Sequence, residues 1–483
     1  MTRRIVGPFN RVEGDLEVSL DIKDGIVAAA WVNSPLYRGF EQMLSGRNPS
    51  DALVMTPRIC GICSVAQSMA SAIALADAQR LTAPPNGELM RNIILATENV
   101  ADHLTHFYLF FMPDFARPVY QDESWYQELA PRFTAVSGDA IREMLPSRAA
   151  FMHIMGSLAG HWPHTLGLQP GGTTHAIDGA TQARVLAILA AFRRFLETRL
   201  FGDTLEAVAE LDSGAALDAW RHCRAQARSD FAAFLRLCDA LDLNDLGRTS
   251  NPFMSYGAYE VGGSPFLRRG VFEGGKTRPL DASAISEDIS NAWYAKSPEP
   301  RHPTRGLTIP DSDMTAGYTW CKAPRLAGKV VEVGALARQA VDGHALILDL
   351  VTKHGGNVAT RVVARLIEIA RVVPQIETWT RSINPSEPFY FKCASSDEAQ
   401  GAGLIEAARG SLGHWVSIKN GRIANYQIIA PTTWNFSPRD SAGTPGACEQ
   451  ALAGAPVRQG ETDPIAVQHI VRSFDPCMVC TVH

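Results

Sequence analysis

Asp475-Pro476-Cys477-Met478-Val479-Cys480-Thr481-Val482-His483 is the stretch that decides the fold, together with Arg58-Ile59-Cys60-Gly61-Ile62-Cys63 near the other end of the chain. Each stretch carries a Cys-x-x-Cys pair, whose two thiolates can bind one metal ion from a single turn of backbone. Ordinary zinc modules repeat such pairs within roughly 15 to 20 residues, whereas these pairs stand near opposite ends of 483 residues. If the four sulfurs meet, we expect the whole fold to close around them and His483 to be buried beside them.

Four thiolates narrow the choice of metal without fixing it. Spacing alone favours structural zinc, with iron-sulfur units and other soft-binding transition metals as alternatives. The motifs R-x-C-G-x-C and D-P-C-x-x-C-x-x-H, however, resemble those of the large subunit of nickel-iron hydrogenases. The resemblance implies an α+β, predominantly helical fold, in which long helices form a bundle core and small β-sheets lie at its periphery. It also implies a nickel-iron centre, with CO and cyanide on the iron, held by Cys60, Cys63, Cys477 and Cys480.

Length and composition are those of a globular protein. The chain is 46% hydrophobic and 20% charged, enough to bury a large core, and its length favours two or three lobes. A net charge of −5 gives no basic surface for nucleic acid or an anionic membrane. No run of about 18 apolar residues predicts a membrane span, and Arg3-Arg4 lacks the long apolar stretch of an export signal. The nine cysteines are too sparse for a disulfide scaffold, so we expect a reducing, cytoplasmic location.

Hydrophobic periodicity divides the chain into approximate lobes of a single large-subunit unit. Alternation from Leu16 to Val32 around Asp24-Gly25 predicts a β-hairpin. Helical spacing follows Cys63, continues from Arg91 to Phe111 and returns from Val358 to Val373. We therefore expect an N-terminal β lobe (1–50), a helical core (51–245), an irregular excursion (246–345), and a helix and β lobe that carries the C-terminal metal motif (346–483).

Two glutamates near the N-terminus have ordinary explanations as well as functional ones. Glu13 would usually be a surface acid, and Glu41 would usually be a helix N-terminal charge. The segment Arg11-Val12-Glu13-Gly14 resembles the R-[IV]-E-G of the hydrogenase large subunit, which implies that Glu13 relays protons from the metal centre. The position of Glu41 resembles that of a magnesium ligand. The resemblance implies that two further groups complete this magnesium site: the Ile428 carbonyl and His483.

A further set of residues is implied to surround the metals. Residues Glu406 to Trp415 resemble the family's E-A-P-R-G-x-L-G-H-W, with Ala408 in place of the usual proline. An arginine near a turn would normally be solvated, but the resemblance places Arg409 above the metals, where its donors face bound cyanide and incoming substrate. The resemblance also implies that the terminal thiolate of Cys477 starts the proton route, and that the carboxylates of Asp102 and Asp475 lie beside the site. It further implies that the Thr432 hydroxyl bonds a cyanide and that Pro431 lies beside the cofactor.

Two bulky apolar residues, Ile62 and Phe110, would ordinarily be assigned to the core. By resemblance they lie at the inner end of the gas channel, where uptake enzymes usually have smaller side chains. The combination is similar to that of the hydrogen-sensing, regulatory subclass. It predicts an oxygen-tolerant H2 sensor that controls hydrogenase gene expression, with a histidine kinase as a further partner. The alternative is a membrane-bound or soluble uptake hydrogenase, made with a C-terminal extension that is later removed, and a remote alternative is a non-catalytic structural zinc protein.

Electrons from H2 need an exit that this chain does not supply. The other five cysteines stand singly and form no cluster-binding run such as C-x-x-C-x-x-C. A partner with iron-sulfur clusters is therefore implied, and by resemblance it is the hydrogenase small subunit. The predicted reaction is heterolytic cleavage of H2 into protons and electrons, and the electrons pass to that partner.

Overall fold

The computed structural model describes residues 2–223, 225–297, 299–392 and 397–481, so that His483 lies outside the described residues. Helices dominate the fold and small antiparallel sheets lie beside them, which confirms the predicted α+β class. The helices are α1 (Phe40–Leu44), α2 (Asp51–Met55), α3 (Ser64–Ala78), α4 (Pro85–Thr105), α5 (Tyr126–Phe133), α6 (Asp139–Ala159), α7 (Gly179–Phe195), α8 (Leu205–Ala209), α9 (Gly214–Arg221), α10 (Asp230–Ala240), α11 (Ala335–Asp342), α12 (Ala345–His354), α13 (Val358–Ser382), α14 (Pro431–Asn435), α15 (Ala447–Leu452), α16 (Ile465–Phe474) and α17 (Met478–Thr481).

The helices α3, α4 and α13 form the centre of the molecule. Helix α4 begins at Pro85, which suits a first helical position because no N–H is needed there. Beyond its first turn α4 is buried on all sides, which is typical of a helix inside a large core. Helix α13 begins at a capping box formed by Asn357 and Thr360, and it packs along α4. Because α3 also packs on α4, the start of α3 at Cys63 lies within the core.

Small antiparallel sheets flank this bundle. In the described part of the chain, three of them have three strands, in the orders β1-β2-β3, β6-β7-β8 and β11-β12-β13, and two have a single pair, β4-β5 and β9-β10. The strands are β1 (Thr2–Val6), β2 (Glu17–Lys23), β3 (Ile26–Asn33), β4 (Leu168–Gln169), β5 (Gly172–Thr173), β6 (Phe253–Val261), β7 (Ser264–Glu273), β8 (Lys276–Arg278), β9 (Ile285–Asp288), β10 (Ala323–Leu326), β11 (Ala399–Ala407), β12 (Gly410–Lys419) and β13 (Arg422–Ile429).

Most predicted elements are present at the expected places. The predicted hairpin is β2 and β3, and the three predicted helices are α3, α4 and α13. The excursion at 246–345 is more regular than expected, because β6 and β7 form a long hairpin there. Its turn, Gly262-Gly263, has positive φ at both glycines, the conformation that a tight hairpin requires. The division of the chain into four lobes stays a prediction. Among the described residues, no helix is both long and apolar enough to cross a membrane.

The two ends of the chain lie side by side. Helix α16 ends at Phe474, the next residue, Asp475, has a left-handed φ of 59°, and the chain then turns into the short helix α17. Glu13 and Cys477 form a parallel β-bridge, in which the Met478 N–H donates to the Glu13 carbonyl at 2.7 Å. The Glu13 N–H donates to the Pro476 carbonyl at 3.3 Å. These bonds place the N-terminal loop directly against the C-terminal cysteine motif.

Candidate metal centre

Four cysteine side chains converge where the two chain ends meet. Their sulfur atoms all lie within 4.8 Å of one another, and all four residues are buried. The sulfur of Cys480 lies 3.1 Å from that of Cys477 and 3.2 Å from that of Cys63. The sulfurs of Cys60 and Cys477 are 3.4 Å apart. The predicted meeting of the two motifs is therefore present.

The main chain fixes the position of each thiol. Cys60 follows a short 3-10 turn. Cys63 is the N-cap residue of α3, so the prediction that it lies at the start of a helix is confirmed. The Cys477 N–H donates to Oγ1 of Thr432 at 3.0 Å, and the Cys480 N–H donates to the Cys477 carbonyl at 3.1 Å. Thr432 therefore lies next to the thiols.

This donor set fits a cation of soft character. Four thiolates at such separations repel one another, and their burial removes the water that would screen the repulsion. A transition-metal centre among them relieves that repulsion, and thiolate sulfur is a preferred ligand of such metals. The sulfur positions alone admit zinc as well as nickel and iron.

A buried guanidinium lies between two buried carboxylates beside the thiols. Arg409 donates from Nη1 to Asp102 Oδ2 at 2.5 Å, and from Nη2 to Asp475 Oδ1 at 3.0 Å. Its Nε donates to the Asp475 main-chain carbonyl at 3.0 Å. Burial raises the pKa of Asp102 to about 7, although Arg409 opposes that rise. Burial alone would also raise the pKa of Asp475, but Arg409 and its neighbours hold it below the ordinary value.

The backbone ahead of Arg409 is held by a second arginine, Arg338. Its guanidinium donates to the Ala407 carbonyl at 2.8 Å and to the Ala408 carbonyl at 2.9 Å. The same group forms ion pairs with Glu368 at 2.7 Å and with Glu406 at 2.8 Å, and all these side chains are buried. Ala408 replaces the proline expected there, and Arg338 supplies a constraint on the same peptide units.

Glu13 is half-buried at the edge of the thiol cluster. Burial raises its pKa, the nearby Cys60 raises it further, and Arg409 lowers it. The next residue, Gly14, has a φ of 78°, and an added Cβ would lie 2.9 Å from Cγ1 of Val479. Only glycine therefore fits this close approach between the N-terminal loop and the cysteine motif.

The predicted magnesium ligand Glu41 is buried and already has a cationic partner. Lys322 Nζ lies 3.0 Å from Glu41 Oε2 and 3.6 Å from Glu287 Oε2. The Ile428 N–H donates to Glu41 Oε1 at 2.8 Å, and the Thr308 hydroxyl also donates to the Glu41 carboxylate. Burial alone would lower the pKa of Lys322, but Glu287 and Glu41 raise it. Glu41 and Ile428 are thus adjacent, whereas the third predicted ligand, His483, lies outside the described residues.

Comparison with known proteins decides between the metals that the sulfurs admit. The family described as nickel-dependent hydrogenase matches residues 38–124 and 134–483. The chain belongs to this family. The family predicted from the two cysteine motifs is therefore confirmed, and the match favours a catalytic nickel-iron centre over the structural zinc site.

Known hydrogenase large subunits and solved hydrogenase structures are similar to this chain over nearly its whole length. The periplasmic [NiFeSe] hydrogenase large subunit of Desulfomicrobium baculatum is 28% identical, over 99% of this chain and 94% of its own. The uptake hydrogenase large subunit of Afipia carboxidovorans is 28% identical, over 100% of this chain and 95% of its own. The reduced Ni-Fe-Se hydrogenase of D. vulgaris Hildenborough has a TM-score of 0.86 and 30% identity, with 100% of both chains covered. This chain is a hydrogenase large subunit, and these relatives are named as periplasmic and uptake enzymes rather than as H2 sensors.

The remaining predicted residues of the hydrogenase site lie near the thiols or on adjoining elements. Ile62 is half-buried, and its N–H points to the sulfur of Cys60 at 3.3 Å. Phe110 is half-buried in the π-helical turn that continues α4. Pro431 is the first residue of α14, the helix that also carries Thr432. The roles predicted for these residues stay predictions.

Sequence inspection of this hydrogenase missed several buried charges around the site. Arg365 on α13 pairs with Asp475 at 3.5 Å, and Glu98 on α4 accepts three hydrogen bonds next to Cys63. Lys322 and Arg338 were missed as well. One signal could have revealed Arg365: apolar residues flank it on both sides, Val362-Val363-Ala364 before it and Leu366-Ile367 after it, so its charge had to be buried and paired.

Proposed function

We propose that this hydrogenase large subunit oxidises H2 as the catalytic part of an uptake enzyme, and that an iron-sulfur small subunit receives the electrons. The observation that carries the proposal is the set of four buried thiols with Glu13 and Arg409 beside them. The uptake role is supported by the relatives, which are named as uptake and periplasmic hydrogenases. The names of these relatives do not support the predicted cytoplasmic location.

The four thiolates would hold nickel and iron, and CO and cyanide would fill iron positions for which the described part of the chain offers no further ligand. When bound, this centre supplies the Lewis acid that polarises H2 and the redox chemistry that takes up its two electrons. The apolar residues and buried cysteines around the site exclude water. A dry site strengthens the interaction of every neighbouring charge with the reacting atoms.

The protons from H2 leave through side chains of this chain. The Cys477 thiolate sulfur is suited to hold a proton first, because it lies in the cluster and the residues on either side of it are bonded to the Glu13 main chain. The Glu13 carboxylate then accepts that proton. Burial raises the pKa of Glu13 above its ordinary value, which brings the carboxyl nearer to the neutral range where both accepting and releasing a proton are easy.

Arg409 would act on the substrate without exchanging a proton. A guanidinium stays protonated even when it is buried, so its N–H groups remain donors throughout the reaction. Asp102 and Asp475 hold it from two sides. This arrangement gives a fixed positive group in a dry site, where it stabilises negative charge that develops during H2 cleavage.

The electrons need a partner chain. Within the described ranges, the four cysteines are the only group of three or more Cys, His, Asp or Glu side chains placed to hold a metal ion. The described residues can take up electrons at this centre but offer no second cysteine set for an iron-sulfur cluster that would carry them to the surface. An iron-sulfur small subunit would supply that path.

A magnesium ion at Glu41 is a further part of the proposal. The supporting observation is that Glu41 and Ile428 are adjacent and buried. Lys322 shares the Glu41 carboxylate, so a magnesium ion would bind beside an ammonium group and with the help of Glu287. Magnesium analysis of the wild-type protein and of Glu41→Gln tests this part, because the variant is expected to lose the ion.

The sensory role is the second candidate, and Ile62 with Phe110 is the observation that favours it. Both side chains are bulky and half-buried, which suits a narrowed gas path. If they limit the entry of O2, exchanging Ile62 for Val and Phe110 for Leu should raise inhibition by O2. Unchanged inhibition would remove the only support for the oxygen-tolerant sensor and for a histidine-kinase partner.

The proposed function is tested with the complex of this chain and its small subunit. The wild-type complex should reduce a viologen dye under H2, and its infrared spectrum should contain bands of metal-bound CO and cyanide. Cys477→Ser should abolish the dye reduction. A wild-type complex that contains zinc, shows no such bands and leaves the dye oxidised would contradict the proposal.

A further inference from the structure

The helix that begins beside the metal centre has no cap of its own. Cys63 is the N-cap residue of α3, and its side chain makes no capping hydrogen bond. The first amides of any α-helix have no partner within the helix, and burial makes an unpaired amide costly. Ser64, Val65 and Ala66 are all buried here. Another part of the chain must therefore supply acceptors for these amides.

Glu98, in the middle of α4, supplies them. Its Oε2 accepts the Val65 N–H at 2.9 Å, and its Oε1 accepts the Ala66 N–H at 2.9 Å. A third donor, Nε1 of Trp162, also bonds Oε2 at 2.9 Å. The Glu98 residue is only 2% exposed, so water does not replace these bonds.

The loop that carries Trp162 holds the cysteine segment from its other side. The His164 N–H donates to the Ser64 hydroxyl at 3.2 Å, and His164 Nδ1 lies 3.0 Å from the Pro57 carbonyl. These contacts reach the residues just before Cys60 and just after Cys63. The Cys60 to Cys63 segment thus lies between α4 and this loop. Glu98 of α4 is bonded both to the start of α3 and to Trp162 of the loop.

The charge of Glu98 also acts on the start of α3. A helix N-terminus carries a partial positive charge, which favours a negative group nearby. Burial raises the pKa of Glu98 to about 8, and its bonds from Val65, Trp162 and Ala66 oppose the rise. All three of these partners donate, so they favour the ionised carboxylate. Above that pKa, the negative charge of Glu98 offsets the partial positive charge of the helix N-terminus one residue from the Cys63 ligand.

We propose that Glu98 is a positioning residue for the metal centre: it caps α3 from the neighbouring helix and so fixes the position of the Cys63 thiolate. The proposal deepens the proposed function, since it takes Cys63 as a metal ligand. A carboxylate that served only to fill the core would leave the electronic state of the metals unchanged when it is replaced.

The test compares Glu98→Gln and Glu98→Ala in the complex with the small subunit. Hydrogen exchange followed by mass spectrometry should show faster exchange of the peptide that contains Val65 and Ala66, by about tenfold in the alanine variant, the ratio for one lost hydrogen bond. The glutamine variant keeps one oxygen and should lie in between. The nickel EPR spectrum should shift in both variants while nickel content per chain stays near the wild-type value.

Glu88→Gln is the matched control, because Glu88 lies on the same helix and accepts an amide at a distance from the metals, that of Gly262 at 2.9 Å. It should leave the nickel spectrum and the exchange of the Val65 peptide unchanged. If Glu98→Gln has wild-type amide exchange and a wild-type nickel spectrum, the proposal is overturned. This outcome decides the question even if Glu98→Ala does not fold. The amide exchange does not depend on H2 oxidation, so an inactive wild-type complex would contradict the proposed function without deciding the role of Glu98.

Discussion

Glu13 and Cys477 are joined through their backbones, since the Met478 N–H donates to the Glu13 carbonyl and the Glu13 N–H donates to the Pro476 carbonyl. Main-chain bonds therefore hold Glu13, whose carboxylate is proposed to take up the proton, beside the segment that carries the Cys477 thiol. Such a contact fixes the main chain of both residues, so the first and last segments of the chain must be folded before the site exists.

Replacing Glu13 by Gln should block the proton route and spare the metals. Glutamine keeps the size and the backbone bridge but cannot accept a proton from Cys477. We expect the rate of H/D exchange under H2 to fall by about a hundredfold, the lower range for loss of a general base, while nickel content stays constant. Glu17→Gln in the same lobe should exchange at the wild-type rate. Wild-type exchange in the Glu13 variant would exclude this residue from the relay.

Replacing Arg409 by Lys should impair turnover more than metal binding. A lysine ammonium cannot make the three separate bonds that Arg409 makes with Asp102 and Asp475. We expect dye reduction under H2 to drop by about a hundredfold or more, as for other lost electrostatic stabilisers. Arg142→Lys, at an exposed ion pair, serves as the control. An Arg409→Lys variant that keeps at least half of the wild-type turnover would contradict the role given to the guanidinium.

Replacing Gly14 by Ala should loosen the contact between the chain ends. The new Cβ would meet Val479 at 2.9 Å, and the φ of 78° is unfavourable for alanine. Gly46 is a matched control, because it has the same φ of 78° and open space around its Cα. We expect Gly46→Ala to cost about 1 kcal/mol of unfolding free energy and to retain nickel. Gly14→Ala should cost more and lose nickel on dialysis; equal behaviour of the two variants would argue against a close contact.

Replacing Asp114 by Asn should destabilise the fold in a pH-dependent way. Burial alone would raise the pKa of Asp114, but Arg472 at 2.8 Å and His469 at 3.2 Å hold it well below its ordinary value. Such a carboxylate stabilises the fold above its unfolded pKa of about 3.9 and loses that contribution as the pH falls. We expect a loss of about 3 to 5 kcal/mol at neutral pH.

Urea unfolding of the complex at several pH values measures this loss. The difference between wild type and Asp114→Asn should be constant above about pH 5 and should shrink below it. Asp139→Asn, at an exposed pair, should change the unfolding free energy by less than about 0.5 kcal/mol. A difference between Asp114→Asn and wild type that grows as the pH falls would contradict the assigned charge state.

The sequence was sufficient to predict the centre because its ligands come in compact motifs. Each Cys-x-x-Cys pair signals a metal by spacing alone, and the pairing of two distant motifs specifies a family. The hairpin at Leu16 to Val32 and the start of α3 at Cys63 follow from local periodicity for the same reason: their signal lies within one segment.

The missed residues depend on partners that are far away in the sequence. Nothing beside Glu98 indicates that it accepts the amides of Val65 and Ala66 from another helix. Lys322 likewise is a single charge, and its pairing with Glu41 forms only when the two distant segments are brought together by folding. The glycine-rich turn of β6 and β7 was mistaken for irregular structure because glycine serves both loops and tight hairpins.

Nickel K-edge X-ray absorption on the purified complex tests most directly whether thiols from both ends of the chain hold a nickel-iron centre. We predict nickel ligated by cysteine sulfur with iron as a close neighbour, and loss of a sulfur ligand in Cys477→Ser. Zinc in place of nickel, or nickel ligated only by nitrogen and oxygen, would contradict it.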